Sequence, residues 1–210
     1  MLFDFYPYTQ WASSINRARF EGNWRERYHV DYSQIRLIGE DRPLTSQSFN
    51  ELQKQNKNLY ISVNSIPQKT VDYFALSTDA SIGTDSPVEN KNNHPRGSGS
   101  FTKFINDYVD TGKITFEKAL YRLSTQACEK FSPYISGLRK RGKIEEGYFA
   151  DLILWDRDSI KSNATLANPL DISRGVVAAF VNGKPLILNR KIQLPVEDTG
   201  TFLKGNFSSQ

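Results

Sequence analysis

The sequence contains very few of the residues that build disulfide frameworks and metal centres. Its 210 residues include one cysteine, Cys128, and two histidines, His29 and His94. A single cysteine excludes an internal disulfide framework and is typical of a reducing compartment. A catalytic zinc ion takes about three protein ligands besides its open position, and the sequence has no HxH, HExxH or CxxC motif. We therefore expect no metal centre built by this chain alone.

Long hydrophobic runs are also absent. No stretch approaches the ~20 consecutive apolar residues of a membrane-spanning helix, so we expect no integral membrane protein. The first ten residues contain neither a basic segment nor a long apolar segment, so no signal peptide is visible. The expected location is cytoplasmic, and a signal upstream of this chain would change that expectation.

The composition is that of a globular chain with a small positive charge. Hydrophobic residues make up 38% of the sequence, and counting the 13 glycines with them brings the apolar share near that of globular proteins. This composition excludes a disordered or collagen-like polypeptide. The net charge of +4 comes mainly from Arg139, Lys140, Arg141 and Lys143. Short basic runs are usually solvated surface, and no stripe of aromatic residues is interleaved with this one. We expect no nucleic-acid partner.

The hydrophobic pattern predicts an α/β first part. Residues 1–9 are typical of a buried strand that ends in a loop, and residues 10–45 show no sustained period and are predicted mostly as loop. A short helix is predicted with Ser46 as its N-cap. Residues 59–66 alternate apolar and polar, which predicts a strand, and we interpret the apolar run at 73–76 as the end of a second strand.

A long loop separates this part from two helices and a small β segment. Residues 81–99 are rich in Gly, Pro, Asn and Ser, and long loops in compact proteins are usually functional or disordered. Helical periodicity follows at 101–108 and again after Thr115, which is the predicted N-cap of the second helix. Residues 150–156 predict a strand, and an Asn-Gly pair within 176–188 predicts a β-hairpin.

Asp79 is the strongest catalytic candidate on position alone. It follows the apolar run at 73–76, which would place it at the carboxyl end of a strand, where parallel α/β barrels hold their catalytic groups. A carboxylate there serves as a metal ligand or a general base. The alternative is an aspartate that caps a helix or forms a turn.

Four further residues are candidates for substrate binding. His94 and Arg96 lie in the long loop, and an arginine there is suited to hold a carboxylate by two hydrogen bonds. The alternative for Arg96 is a surface position in a turn. Tyr6 and Tyr8 flank Pro7 at the exit of the first strand, where their hydroxyl groups would line a pocket or pack at its rim.

The order of the motifs resembles one family. The sequence reads DFYPYT at 4–9, STDAS at 77–81, NNHPRGSGSF at 92–101, KRGKIEEGYFADLILWD at 140–156 and GVVAAFVNGKPL at 175–186. This order is similar to that of the C-terminal portion of the D-aminoacylase group, the N-acyl-D-amino-acid deacylases of the amidohydrolase superfamily. HPRGSGSF with YPYT upstream of it is the most specific part of the resemblance.

The resemblance implies an α/β fold and a hydrolytic reaction. It implies that residues 1–143 are the C-terminal part of a metal-dependent (β/α) barrel, that 144–194 are an incomplete small β-sandwich segment, and that 195–210 are a loosely structured tail. The implied reaction is hydrolysis of the amide of an N-acyl-D-amino acid, in which zinc activates a water molecule. By the same resemblance, Asp79 matches the aspartate that orients this water and takes its proton.

The resemblance also implies where this chain is incomplete. The family's other zinc ligands lie on earlier strands, which would precede residue 1, and neither His29 nor His94 fits their motifs. Asp79 is therefore the one metal-ligand candidate. We expect a C-terminal fragment of the hydrolase that binds no zinc alone and is inactive without the missing N-terminal segment.

The expected partners follow from the same resemblance and from the physics of strand edges. They are an N-acyl-D-amino acid and either the missing N-terminal half or a second copy that pairs through exposed strand edges. The alternative is a non-catalytic remnant that acts as a binding or scaffold module. The acyl group, the D-amino-acid side chain and the number of metal ions are not indicated by the sequence.

Overall fold

The computed structural model describes residues 3–55, 57–77, 80–86, 93–194 and 199–206. The strands are, in chain order, β1 (Phe3–Phe5), β2 (Gln10–Ser14), β3 (Ile35–Leu37), β4 (Arg42–Pro43), β5 (Tyr60–Asn64), β6 (Ala80–Ile82), β7 (Leu152–Trp155), β8 (Val176–Val181), β9 (Lys184–Leu188) and β10 (Lys191–Ile192). The helices are α1 (Trp24–Tyr28), α2 (Ser46–Lys54), α3 (Gln68–Leu76), α4 (Arg96–Phe104), α5 (Phe116–Leu120) and α6 (Gln126–Phe131). Two π-helical turns extend these helices, at Ile105–Val109 after α4 and at Tyr121–Thr125 between α5 and α6.

The described strands form three separate sheets. β1 and β6 pair in parallel, with Phe3 opposite Ala80 and Phe5 opposite Ile82. The second sheet is antiparallel in the order β2-β5-β3-β4, and the third is antiparallel in the order β10-β9-β8-β7. Parallel strands need a crossover connection, and here the connection from β1 to β6 contains the whole second sheet.

The second sheet corrects the prediction that residues 10–45 are mostly loop. Strands β2, β3 and β4 and helix α1 all lie in this stretch. They pack with α2 and β5 around a core of their own, which consists of Ile15, Phe20, Trp24, Val30, Ile35, Leu37, Leu44, Phe49, Ile61 and Val63. The strands span two to five residues, so none is long enough to show a repeating hydrophobic pattern.

The helix predictions are confirmed with small shifts of their ends. Helix α2 begins at Ser46, but its N-cap is Thr45, whose hydroxyl group accepts a hydrogen bond from the Ser48 amide at 3.2 Å. Ser48 returns a bond by accepting from the Thr45 amide at 2.9 Å, so the two residues satisfy each other. Thr115 caps α5 as predicted, and its hydroxyl group accepts from the Lys118 amide at 3.4 Å.

The apolar run at 73–76 is not a strand. It belongs to helix α3, in which Val71 and Ala75 are buried at a spacing of four residues. The strand that pairs with β1 begins at Ala80, after Asp79 in the sequence. The premise that placed Asp79 at the carboxyl end of a strand is therefore wrong, and Asp79 itself lies outside the described residues.

The parallel pair β1–β6 is covered by helices on one face. Phe5, Ala80 and Ile82 point into a core that also contains Phe104 and Tyr108 from α4 and the π-helical turn that follows it. This is an α/β layer, as the sequence predicted. Two parallel strands are a small part of a closed barrel, so the barrel stays a prediction for this chain.

A buried arginine fixes the start of β6 against the end of α3. The Arg122 guanidinium group donates to the carbonyl oxygens of Phe74 at 3.1 Å and Ala80 at 2.9 Å, and also to that of Ala75. Its central carbon lies 5.2 Å from the centre of the Phe104 ring. The side chain thereby satisfies carbonyl groups at the C-terminal end of α3, which have no partner within the helix.

The third sheet contains the predicted hairpin. β8 and β9 are joined at Asn182 and Gly183, whose φ angles are 49° and 77°, as a tight hairpin turn requires. The adjacent strand β7 exposes its apolar side chains, with Ile153 at 68% and Leu154 at 60% of full exposure. In the part of the chain that the structure describes, no helix is long and apolar enough to span a membrane.

The basic cluster is tied to this sheet. Arg141 pairs with Asp151 and lies 4.1 Å from the centre of the Phe149 ring, and only 10% of its side chain is exposed. Lys143 pairs with Glu129 at 2.9 Å. The expectation of a wholly solvated loop is therefore wrong for Arg141, which joins the helical part to the third sheet.

Replacing Gly175 by alanine is expected to destabilise the fold. Gly175 has a φ of +89°, and a Cβ there would lie 2.6 Å from both the amide nitrogen and the Cα of Ile160. The positive φ and the backbone clash should together lower the free energy of unfolding by about 2–4 kcal/mol. Gly200→Ala is the control, because a Cβ at Gly200 meets nothing within 4 Å. Equal denaturant midpoints for the two variants would contradict the close approach at Gly175.

Candidate functional site

The two segments that follow β1 and β6 meet at one edge of the parallel pair. Residues 6–9 follow β1, and residues 83–85 follow β6. The Gly83 amide donates to the Phe5 carbonyl oxygen at 2.8 Å, so the two chains remain paired one residue beyond β6. The carboxyl ends of parallel strands are where α/β proteins bind ligands. This edge is the candidate site.

Asp85 is the acidic residue that the structure places at this edge. It follows β6 by three residues and has a φ of +44°. Its carboxylate oxygen Oδ2 lies 2.9 Å from Nη2 of Arg96, and 69% of its side chain is exposed. Asp85 was not predicted from the sequence, because the apolar run at 73–76 was interpreted as the strand. The apolar-polar-apolar order of Ala80, Ser81 and Ile82 is too short to have predicted a strand there.

Arg96 connects the loop of Asp85 to the start of α4. The Asp85 carbonyl oxygen accepts hydrogen bonds from Nε at 3.1 Å and from Nη2 at 2.6 Å of Arg96. The guanidinium carbon lies 4.5 Å from the centre of the Tyr6 ring. Arg96 is 5% exposed, so this cation is buried between a ring and an aspartate.

Tyr6 and Tyr8 both have hydroxyl groups that stay protonated. Burial raises the pKa of Tyr6, while the positive charge of Arg96 lowers it and the negative charge of Asp85 raises it. Burial is also the main reason that the pKa of Tyr8 rises to about 12. The Tyr8 hydroxyl group donates to the Pro95 carbonyl oxygen at 3.4 Å.

Gly99 allows α4 to approach Tyr8 closely. A Cβ at Gly99 would lie 2.6 Å from the Tyr8 hydroxyl oxygen and 2.5 Å from Oγ of Ser162. No larger residue fits there without moving one of these groups. The close packing of α4 against Tyr8 therefore explains why the second glycine of the HPRGSGSF segment is a glycine.

His94 is buried and neutral. It is 1% exposed, and its Nδ1 accepts a hydrogen bond from the Arg96 amide at 3.1 Å. Nε2 therefore carries the proton of the neutral ring. Burial first, and the charge of Arg96 second, lower its pKa to about 3. A histidine with this pKa does not act as a proton carrier near neutral pH.

The start of α4 holds several hydrogen-bond donors without a partner. Among the described residues, Nδ2 of Asn93, Nε2 of His94 and Nη1 of Arg96 are buried and donate to no atom. A buried donor without a partner costs about 1–3 kcal/mol. All three groups are donors, so the ligand that they suit carries oxygen acceptors, such as a carboxylate.

A cavity of about 490 Å³ lies on the Tyr8 side of α4. Its lining includes Tyr8, Pro95, Lys103, Lys161 and Ser162. A second cavity of the same volume lies among residues 22–32 and contains none of the site residues. The first cavity meets the candidate site at Tyr8.

The described residues do not by themselves fit a metal centre. No group of three or more His, Cys, Asp or Glu side chains in these ranges is arranged to hold a metal ion. The Nδ1 atom of His94 already accepts a hydrogen bond, and Asp85 pairs with Arg96. The described residues supply hydrogen-bond donors but no set of metal ligands, and we derive no reaction step through a metal.

Of the residues predicted from the sequence, the structure brings four together. Tyr6 contacts Arg96, and Tyr8 packs edge-on against His94 with 5.3 Å between ring centres. Their roles in substrate binding stay predictions, and so does the role of Asp79.

His94 is expected to make the protein less stable as the pH falls. Its pKa is about 3 in the folded chain against 6.5 ordinarily, so the unfolded chain binds the extra proton between these values. The free energy of unfolding should fall by about 1.4 kcal/mol per pH unit from this group. His94→Asn should flatten this dependence, since the asparagine oxygen replaces Nδ1 as an acceptor.

The control for this measurement is His29→Asn. His29 is exposed and has a φ of 52°, a conformation that asparagine tolerates well. Urea unfolding from pH 3.5 to 7 compares the three proteins. Parallel curves for His94→Asn and the wild type would contradict the burial of a neutral histidine.

Comparison with curated sequences finds relatives over half of the chain. A D-aminoacylase of Alcaligenes xylosoxydans xylosoxydans is 31% identical over 106 residues, which are 50% of this chain and 21% of that protein. An N-acyl-D-aspartate deacylase of the same organism is 31% identical over 104 residues, 49% of this chain and 20% of that protein. The matches thus span about a fifth of the length of these relatives. No protein-family model matches the chain.

Comparison with solved structures covers more of the chain. A D-aminoacylase described as defining a novel subset of amidohydrolases has a TM-score of 0.75 at 20% identity, over 95% of this chain and 42% of that one. An N-acyl-D-glutamate deacylase of Bordetella bronchiseptica, complexed with zinc and a phosphonate inhibitor, has a TM-score of 0.69 at 18% identity, over 90% of this chain and 42% of that one. A further D-aminoacylase structure, which concerns a binuclear metal centre, has a TM-score of 0.74 at 19% identity.

The solved structures are 18–20% identical to this chain and support its fold. The curated relatives, at 31% identity, support homology in sequence. The resemblance inferred from the order of the motifs is confirmed: the sequence and structural homologues of this chain are D-aminoacylases and N-acyl-D-amino-acid deacylases of the amidohydrolase family.

Proposed function

We propose that this chain forms the substrate-binding part of an amidohydrolase site that cleaves the amide of N-acyl-D-amino acids. The observation that carries the proposal is the meeting of Tyr6, Asp85 and Arg96 at the carboxyl ends of β1 and β6. The names of the homologues give the substrate class. The chain spans 42% of the length of its solved relatives, so the activity of the whole enzyme is part of the proposal.

Asp85 is our candidate for the base, in place of Asp79. The resemblance implied an aspartate at the end of the last barrel strand, and Asp85 is the carboxylate that lies three residues beyond the end of β6. Its carboxylate is mostly exposed, so it is accessible to a water molecule and able to accept its proton. Attack of that water on the amide carbonyl would release a carboxylate and a free D-amino acid.

Arg96 is our candidate for the group that binds the substrate carboxylate. Its Nη1 is buried and has no partner among the described residues, while Nε and Nη2 are engaged by Asp85. A buried guanidinium edge that faces no acceptor favours an anion. Tyr6 and Tyr8 add protonated hydroxyl groups, because the pKa of each is raised.

Metal in the complete enzyme is supported by the relatives, among which one structure contains zinc and another concerns a binuclear metal centre. Such a metal would supply an activated water. The described residues of this chain do not fit a metal site alone. We propose that the metal ligands lie in a segment that corresponds to the part of the relatives that this chain does not match. The non-catalytic alternative, a binding or scaffold module, predicts no hydrolysis after completion with that part.

The purified, unfused chain is expected to contain far less than one zinc ion per molecule. The reason is that its described residues offer no cluster of three ligating side chains. Elemental analysis after dialysis measures the zinc content directly. A content close to one zinc per chain, removable only by strong chelators, would show that His29, His94 and carboxylates form a site and would overturn the division of the active site.

In the zinc-loaded enzyme completed with the missing segment, Asp85→Asn is expected to reduce turnover by about 10²–10⁴-fold because the base is lost. Arg96→Ala should weaken transition-state binding by about 2–4 kcal/mol, as for one partner of a buried charge pair, and this loss appears as a lower kcat/KM. Release of D-amino acid from N-acetyl-D-aspartate and N-acetyl-D-glutamate measures both. The L-enantiomers should not be cleaved.

Asp171→Asn is the matched control, because Asp171 is exposed and lies outside the site. It should leave kcat/KM unchanged. Full activity of Asp85→Asn would show that another residue is the base, and Asp79→Asn would be the next variant to test.

A further inference from the structure

We infer that Arg96 is a positioning residue for Asp85: one edge of its guanidinium group holds both the backbone and the carboxylate of Asp85, while the Tyr6 ring covers its face. The inference rests on the proposed function and adds a second role to a residue assigned above to the substrate. The two roles use different edges of the same group.

The contact holds Asp85 at two points. Nε and Nη2 donate to its carbonyl oxygen at 3.1 and 2.6 Å, and Nη2 also donates to Oδ2 at 2.9 Å. A bond to the carbonyl oxygen fixes the main chain, and a bond to the carboxylate restricts the side-chain rotamer. A surface ion pair between flexible side chains restricts neither.

Asp85 needs such a restraint because of its backbone conformation. Its φ of +44° lies in the left-handed region, which is uncommon for residues other than glycine, although aspartate adopts it more readily than most. Strained conformations of this kind persist where the surrounding structure holds them, and they cluster at functional sites. The contacts that the structure gives Asp85 at this point come from Arg96.

Arg96 is rigid enough to act as the support. Its amide donates to Nδ1 of His94 at 3.1 Å, and its carbonyl oxygen accepts from Oγ of Ser100 at 2.7 Å. Its side chain is 5% exposed against 69% for Asp85. The buried, stacked cation thus holds the exposed carboxylate. A positioning residue must be the more firmly held of the two, and here that residue is Arg96.

The arrangement also links the base to the substrate. If Nη1 binds the substrate carboxylate, the planar guanidinium group fixes the distance from that carboxylate to Asp85. Lysine keeps the charge but is a point donor without this planar geometry. Arg96→Lys therefore separates the two roles, because charge-based binding survives and the positioning of Asp85 does not.

The first test uses the isolated chain and the titration of Tyr6, followed by 13C NMR of labelled tyrosine with Tyr6→Phe to assign the signal. The negative charge of Asp85 raises the pKa of Tyr6, so Asp85→Asn should lower it. Asp171→Asn should leave it unchanged. An unchanged Tyr6 titration in Asp85→Asn would overturn the placement of Asp85 against Arg96 and Tyr6.

The second test uses the completed enzyme and the split between kcat and KM. Arg96→Lys should lower kcat by about 10- to 100-fold, since a displacement of about 1 Å of a reacting group costs up to 10²-fold, and change KM less. In the Asp85→Asn background the same substitution should lower kcat by less than about twofold. Equal losses in both backgrounds would overturn the positioning role.

The two tests separate this inference from the proposed function. If the completed enzyme cleaves no N-acyl-D-amino acid while the Tyr6 titration shifts as expected, the proposed function fails and the contact stands. If the enzyme is active but Arg96→Lys changes only KM, the positioning role fails and the proposed function stands.

Discussion

The position of the site depends on a buried cation at the opposite end of β6. Arg122 donates to carbonyl oxygens of Phe74 and Ala75 at the end of α3 and of Ala80 at the start of β6. A buried guanidinium group is tolerated only with acceptors around it, and here they are backbone carbonyl groups. The contact therefore fixes where β6 begins. The pairing of β6 with β1 sets the register of the two strands. Asp85 therefore lies at the same end of the parallel pair as Tyr6, which follows β1.

The order of the motifs predicted the homologues, but single periodic patterns predicted the elements unevenly. The Asn182-Gly183 turn and the Thr115 cap were predictable because each depends on local backbone geometry. Within the unit at 10–64, the helix at Ser46 and the strand at 59–66 were predicted, and α2 and β5 lie there. Strands β2, β3 and β4 were not predicted, since they are too short for a period and their core is built by contacts between residues distant in the sequence. These contacts exist only after the chain has folded.

The site shows the same division. His94 and Arg96 were predictable as candidates because they lie in a long loop rich in Pro and Gly, and Tyr6 and Tyr8 because they flank Pro7 at the exit of the first strand. Asp85 was missed because β6 spans three residues, while the apolar run of α3 offered a stronger but misleading strand signal. Position at the end of a parallel strand selects Asp85, and that property is visible only in three dimensions.

The contacts that build the candidate site lie within the described part of this chain. The contacts of Arg96 are to Tyr6, Asp85, His94 and Ser100, and the close approach of Tyr8 to α4 depends on Gly99. Metal ligation differs physically, because it needs several side chains from separate strands to converge on one point. Under the proposed function, this chain can therefore assemble a carboxylate-binding side from its own residues while the metal ligands come from elsewhere. The proposed separation of the substrate-binding residues from the metal ligands follows from this difference in how the two groups of residues are positioned.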